Sequence, residues 1–363
     1  MQRGSYRLGP GTMSGLPRDP EATAAALERW LVVVAGLEDV EVTNLAIPQS
    51  TGWSNETIMF DAVWRRSGTV EHRELVARIA PTDYTVFPDR TFTAQYDVMR
   101  ALAEHSDVPM ARIHWLERSA VWFGSEFWIM DRIGGDIPAD TPPYASQGWL
   151  HDASLDDQSD AWWNGIEAMA GIHRLDPDRM GIRSTPVPHG PDPLTAHLDH
   201  QEYFLAWAEG DRPHVGARKA LADLRADMPG PPVQGASLVW GDARLSNLIY
   251  RDFEVVAVLD WEMATIGDPL LDLGWWLFAD DTLTHGAGCQ RLPGFAGREE
   301  TAARWSDLTG RSSAALDYYE LLAGLRFTVI MLRMGKLLHD AGFVDAEFAY
   351  DNLVSRALTE RLG

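Results

Sequence analysis

Residues 238–276, LVWGDARLSNLIYRDFEVVAVLDWEMATIGDPLLDLGWW, hold the side chains best suited to chemistry. An apolar strand over 238–240 runs into Gly241 and Asp242, and Asn247 follows five residues after that aspartate. The chain then turns at 251–254, and a second apolar strand over 255–259 ends on Asp260. A hairpin lays the loop before its first strand beside the end of its second, which can gather Asp242, Asn247 and Asp260 into one cluster. An Asp carboxylate with an Asn carbonyl is a hard, all-oxygen ligand set suited to Mg²⁺, with waters and phosphate oxygens completing the octahedron. The remaining Asp is then free to accept a proton. Phosphoryl transfer needs this division of labour: metal charge on the phosphates, and one carboxylate to orient and deprotonate a hydroxyl.

The elements that must hold these groups follow from periodicity. Apolar Ala24, Leu27, Trp30, Leu31 and Val34 recur at helical spacing over 20–37. Short β-branched segments at 40–47, 56–65 and 72–79 predict an antiparallel meander, a helix is predicted at 92–105, and strands at 112–116 and 127–133. Gly134, Gly135 and three prolines before Tyr144 then break the pattern and mark a lobe boundary. Beyond it helices are predicted at 159–175, 194–208, 214–227, 270–279, 299–308, 314–342 and 346–362, interrupted by the strand-rich stretch 237–260. The expectation is an α+β chain with a loose arm over 1–18, a small sheet-rich N-lobe over 19–133 and a larger, mostly helical C-lobe over 134–363.

The order of motifs resembles a known group. G-D-x-x-x-x-N at 241–247, an Asp closing an apolar strand at 260 and G-D-P-x-x-D-L at 267–273 follow one another. Upstream stand STGWSNET at 50–57, LVARIAP at 75–81, FGSEFWIMDRIGG at 123–135 and IHRLD at 172–176. Together, over roughly residues 40–340, they resemble the aminoglycoside phosphotransferase and choline kinase superfamily, and most nearly its branch also found as the kinase-like domain of some acyl-CoA dehydrogenases. The resemblance implies a two-lobed protein-kinase-like fold and an ATP- and Mg²⁺-dependent kinase that phosphorylates a hydroxyl on a small molecule. It makes Asp242 the catalytic base and Asn247 and Asp260 the Mg²⁺ ligands. It matches Thr51, Gly52, Ser54 and Asn55 to the loop over the nucleotide phosphates, Arg78 to the phosphate-binding cation and Gln95 to that cation's partner. It matches Met130, Asp131 and Ile133 to the segment whose backbone meets adenine. Asp268 and Asp272 match an acidic pair expected to brace the catalytic loop or cap the helix from residue 270. The acyl-CoA-dehydrogenase branch implies a hydroxylated acyl acceptor, and the wider superfamily includes aminoglycosides and choline.

Three positions depart from the family pattern. Trp240 stands where a histidine usually precedes Gly-Asp, Arg78 replaces a lysine, and Gln95 replaces the glutamate that would pair with it. They motivate a rival reading, a nucleotide-sensing module of the same fold without turnover; GTP in place of ATP is another. Elsewhere, His173 reads as a packed, hydrogen-bonded histidine, and His197 with His200 as a solvated helix face. Trp275 or Trp276 could cage a quaternary amine, with helical core the plainer account.

Composition sets outer bounds. The 363 residues carry 31 Lys+Arg against 53 Asp+Glu, a formal net charge of −22, which argues against nucleic acid as a partner. One cysteine, Cys289, excludes an internal disulfide and a multi-thiolate zinc site, so a reducing, cytoplasmic setting is expected. No apolar run approaches the ~20 residues of a membrane span, and the N-terminus lacks a stretch of signal-peptide length.

Overall fold

Asp19 followed by Pro20 is a helix start: the aspartate accepts from the Glu21 N–H at 3.1 Å, and proline at the first position gives up no needed donor. The helix that follows, α1, spans Pro20–Val33. A computed structural model of the chain describes residues 18–47, 55–81, 85–89 and 91–363. These residues group into two compact units. One falls within Met1–Phe87, Ala111–Arg132 and Asp340–Phe343, the other within Pro88–Met110, Ile133–His339 and Val344–Gly363.

In the first unit α1 packs on an antiparallel sheet of β1 (Glu38–Ala46), β2 (Glu56–Arg66), β3 (Thr69–Ile79), β4 (Ile113–Glu117) and β5 (Phe127–Asp131), in the order β1-β2-β3-β5-β4. The period of two is plain in β2, where Ile58, Phe60, Ala62 and Trp64 all point into the core. They meet Leu27, Trp30 and Leu31 of α1, and Trp30 packs edge-on against Phe127 at 5.2 Å while its indole N–H donates to Glu117 at 2.8 Å. The β2–β3 pairing runs without a break from Glu56↔Ile79 to Arg66↔Thr69.

The second unit holds α2 (Phe92–His105), α3 (Leu155–His173), α4 (Pro193–Glu209), α5 (Val215–Ala226), α6 (Leu270–Thr284), α7 (Arg298–Thr309), α8 (Leu316–Asp340) and α9 (Leu353–Leu362). Two small antiparallel pairs are set among them: β6 (Ser237–Val239) with β9 (Thr265–Gly267), and β7 (Leu248–Arg251) with β8 (Glu254–Val258).

Two helix boundaries differ from expectation for identifiable reasons. α3 begins at Leu155 because Ser154 caps it, accepting from the Asp157 N–H at 3.2 Å. The single helix expected over 346–362 is broken. A short 3₁₀ turn at Ala346–Ala349 ends, and Asn352 opens α9 by accepting from the Val354 and Ser355 N–H groups while Ser355 answers with its hydroxyl oxygen. No helix among the described residues is long and apolar enough to cross a membrane.

Candidate active site

Short strands aim the segment that carries Asp242. β6 pairs with β9 in the register Val239↔Thr265 and hands the chain on to Trp240, Gly241 and Asp242. Gly241 has φ 95°, and a Cβ there would stand 2.1 Å from the Met263 carbonyl oxygen, so only glycine lets the two backbones pass. A 3₁₀ turn, Leu245–Asn247, leads into β7, and the β7–β8 hairpin closes through Asp252 and Phe253 with φ 51° and 64°. Two successive positive φ values are the tight hairpin turn whose twist suits antiparallel strands. The Leu259 N–H donates to the Asn247 carbonyl at 2.8 Å, carrying the pairing one step past β8. Asp260 comes next, with φ 58°, a left-handed backbone that Asp tolerates better than most residues.

Asp242 and Asn247 are buried together. The Asp242 Oδ1 accepts from Trp275 Nε1 at 2.8 Å and from Arg244 Nε at 3.0 Å; its Oδ2 accepts from Asn247 Nδ2 at 2.7 Å. The same Asn247 nitrogen reaches the Asp242 carbonyl at 3.0 Å. Its donor side is thereby spent on Asp242, which leaves the amide oxygen as the end able to ligate. Arg244 also grips Asp140. Burial acts to weaken the Arg244 cation, but the carboxylates of Asp242, Asp140 and Asp260 outweigh it and hold its pKa above the ordinary value.

A second layer fixes the loop that carries this cluster. Asp272, fully buried on α6, accepts from the Trp240 N–H and the Gly241 N–H, both at 2.7 Å. His173 Nε2 lies 2.9 Å from the same carboxylate, and Trp305 Nε1 donates to His173 Nδ1 at 2.9 Å. The Trp305 donor fixes the tautomer: Nδ1 accepts, so Nε2 carries the proton and donates to Asp272. Arg326 on α8 donates to the Gly241 carbonyl at 2.7 Å. The buried Trp240 indole N–H donates to the Leu259 carbonyl at 2.7 Å and ties the segment before Asp242 to the one before Asp260. Asp268 caps α6, accepting from the Leu270 N–H at 2.9 Å. Both acidic residues thus do the bracing and capping expected of them, and His173 is the packed, bonded histidine that was read.

The remaining candidate residues are placed as follows. Arg78, on β3, donates to Thr57 Oγ1 at 2.9 Å across the β2–β3 pairing. Asn55 is buried just before β2. Met130 and Asp131 end β5; the Asp131 N–H donates to the Arg112 carbonyl at 2.9 Å, its carboxylate meets His114 Nε2 at 2.7 Å, and the Arg132 N–H donates to the Glu74 carbonyl at 2.8 Å. Ile133 is half-buried, and Gln95 is buried on α2 in the second unit. Thr51, Gly52 and Ser54 lie outside the described residues.

One reading needs correction. His197 and His200 do not form a solvated face: His197 is 1% exposed and the His200 side chain 8%. For Trp275 the plainer account, helical core, holds: the ring is buried, the Arg326 guanidinium lies over it at 4.7 Å and its N–H is committed to Asp242. Trp276 is core, edge-on to Trp162 at 5.3 Å. Sequence reasoning missed Trp275, Arg244 and Arg326 as parts of the site. The signal for the first was the spacing of three from Asp272, which puts both on one face of α6; Arg326 had none.

Comparisons with known proteins bear on this arrangement. Residues 48–309 match the family model described as "Phosphotransferase enzyme family". IBR3 of Arabidopsis thaliana, named as an acyl-CoA dehydrogenase, is 26% identical over 231 residues, covering 62% of this chain and 26% of that protein. Acyl-CoA dehydrogenase family member 11 of Gallus gallus is 26% identical over 275 residues, covering 73% of this chain and 32% of that protein. The chain thus spans about a quarter to a third of the length of these relatives. Among solved structures, a Ralstonia eutropha protein assigned to the aminoglycoside phosphotransferases superposes with a TM-score of 0.69 at 21% identity, over 93% of this chain and 98% of that one. A thermostable mutant of aminoglycoside phosphotransferase APH(4)-Ia, solved with AMP-PNP and hygromycin B, gives 0.55 at 19% identity, over 92% and 98%. The fold is the expected α+β, kinase-like one.

Proposed function

Since the chain belongs to the phosphotransferase enzyme family, we propose that it transfers the terminal phosphoryl group of ATP to a hydroxyl of a small molecule, with Mg²⁺ as the metal. The observation that carries this reading is the buried Asp242 carboxylate held by three donors, Trp275, Arg244 and Asn247.

Asn247 and Asp260 fit a magnesium ion. Both offer hard oxygens, and the Asn247 amide nitrogen is already occupied, so its oxygen is the free end. Two protein ligands leave the coordination positions that Mg²⁺ keeps for phosphate and water. When bound, the ion neutralises charge on the phosphates. Arg78, steadied by Thr57, is the proposed partner of a phosphate oxygen, and the backbone from Met130 toward Ile133 the proposed partner of adenine.

Asp242 then does the proton chemistry. The acceptor's hydroxyl oxygen forms the new bond to the γ-phosphorus, and the bond from that phosphorus to the bridging oxygen breaks with its electron pair leaving on ADP. The hydroxyl proton passes to Asp242. Oδ1 accepts from both Trp275 and Arg244, whereas Oδ2 accepts from Asn247 alone and keeps a lone pair suited to take it. Fixing a base in this way lowers the barrier chiefly by positioning.

Titration calorimetry of ATP with and without Mg²⁺ is the test. The wild type should bind ATP in a Mg²⁺-dependent manner, and Asp260→Ala should lose at least roughly tenfold in that affinity. Unchanged Mg²⁺-dependent affinity in a folded Asp260→Ala would remove Asp260 from the metal site.

A further inference from the structure

Several buried side-chain nitrogens near the Asp242 loop are left unused by phosphoryl transfer. Arg326 on α8 is 2% exposed and forms no ion pair among the described residues. One of its nitrogens holds the Gly241 carbonyl, but Nε and Nη1 have no hydrogen-bond partner among those residues. On α4, His197 is 1% exposed and neither ring nitrogen has a partner among the described residues. One turn along, His200 leaves Nδ1 without one among the same residues, while its Nε2 stands 3.6 Å from the half-exposed Asp89. His197 and His200 stand three residues apart on one face of α4; burial and then the charges of Arg326 and His200 pull the His197 pKa down, and Arg326 also acts on His200. Burial brings Arg326 itself down to about 10, against the longer-range pull of Asp272 and Asp242.

Leaving a guanidinium and two imidazoles buried with idle nitrogens is costly unless something pairs with them. A hydrocarbon core gains nothing from such an arrangement, whereas an anion would satisfy it with charge-assisted hydrogen bonds. Its place is informative too. Arg326 is bonded to the residue before Asp242 and lies over the Trp275 ring whose N–H holds Asp242.

We propose that Arg326, His197 and His200 bind an acid group on the acceptor, so that the substrate is a small alcohol carrying a carboxylate or a phosphate, not a polycation. This rests on the phosphotransferase reading above, in which the alcohol of the same molecule meets Asp242.

The experiment pairs each acid with an uncharged match: glycerate and β-hydroxybutyrate against their amides, and α-glycerophosphate against glycerol, with choline as the cationic control. Binding is followed by calorimetry without nucleotide, and transfer by ADP release with Mg²⁺·ATP. Acids should bind, and their kcat/KM should exceed that of the uncharged match by about 100-fold. Whether the carboxylates or the phosphate react separates the two acid types. His197→Gln and His200→Asn should each cut that preference roughly tenfold or more while Mg²⁺·ATP binding persists, and Arg326→Gln, where it folds, should cut it as well. Failure of every acid to bind, equal use of acid and amide, or a preference unmoved in the folded variants overturns the proposal. Acid binding with no ADP release from any alcohol would leave the anion site standing and sink the transfer reading instead.

Discussion

Replacing Asp272 by alanine strips the catalytic loop of its main brace. The carboxylate is fully buried and accepts from the Trp240 N–H, the Gly241 N–H and His173. Alanine orphans all three donors at roughly 1–3 kcal/mol each, and relaxation should bring the total to about 3–5 kcal/mol, the usual cost of breaking a buried charged network. At about 2–4 °C per kcal/mol for a unit of a few hundred residues, the melting temperature should fall by roughly 6–20 °C. Asp272→Asn keeps the shape but sets an amide NH₂ against one of the two backbone N–H groups, so its loss should be smaller, about 2–3 kcal/mol. Both variants free the segment just before Asp242, and kcat should fall more than tenfold even well below the melting temperature. Circular dichroism melts and ADP release, measured where each variant is folded, read both effects. A fall of less than about 2 °C for Asp272→Ala, or asparagine costing more than alanine, would refute the reasoning.

Two further outcomes follow from the same geometry. Trp275→Phe keeps an aromatic ring under Arg326 but deletes the 2.8 Å donor to Asp242, so kcat should drop by about tenfold with little change in Mg²⁺·ATP affinity; an unaltered kcat in the folded variant contradicts the orienting role. His197 gives a pH dependence of definite sign. Burial and neighbouring positive charge hold its folded pKa well below 6.5, whereas the unfolded imidazole protonates near 6.5, so between those values the unfolded state binds more protons. Stability should therefore fall as pH drops below about 6.5, by up to about 1.4 kcal/mol per unit for this group, and His197→Gln should remove that share; urea unfolding of both proteins at about pH 7.5 and 5.5 would show parallel losses if the argument is wrong.

Much of the catalytic segment was legible because its logic is local. A glycine, an aspartate, an asparagine five residues on and a hairpin between two apolar runs suffice to bring Asp242 and Asn247 together, and the hairpin turn falls where residue types put it. Helices with a strong apolar stripe, such as α2 at Phe92–His105, are likewise readable end to end. What escaped depends on neighbours distant in the chain. Trp275 looked like helical core because nothing in its own helix shows that Asp242 lies beside its N–H. His197 and His200 are polar residues one turn apart, a pattern typical of a wet surface, and only the packing of α4 reverses that. The break at Asn352 was hidden because apolar periodicity continues through it, while capping by Asn352 and Ser355 ends one element and begins another. β9, at Thr265–Gly267, is too short to show a period at all.

The central claim is that the Asp242 carboxylate takes the acceptor's proton. Asp242→Asn preserves size and most of the hydrogen-bond geometry around Trp275 and Arg244 while removing the base. Single-turnover ADP formation with a hydroxylated acceptor, set beside Mg²⁺·ATP affinity in the same preparation, tests this directly. The account predicts a rate reduced by roughly 10²–10⁴-fold with nucleotide affinity kept within about threefold; a rate within tenfold of wild type would contradict it.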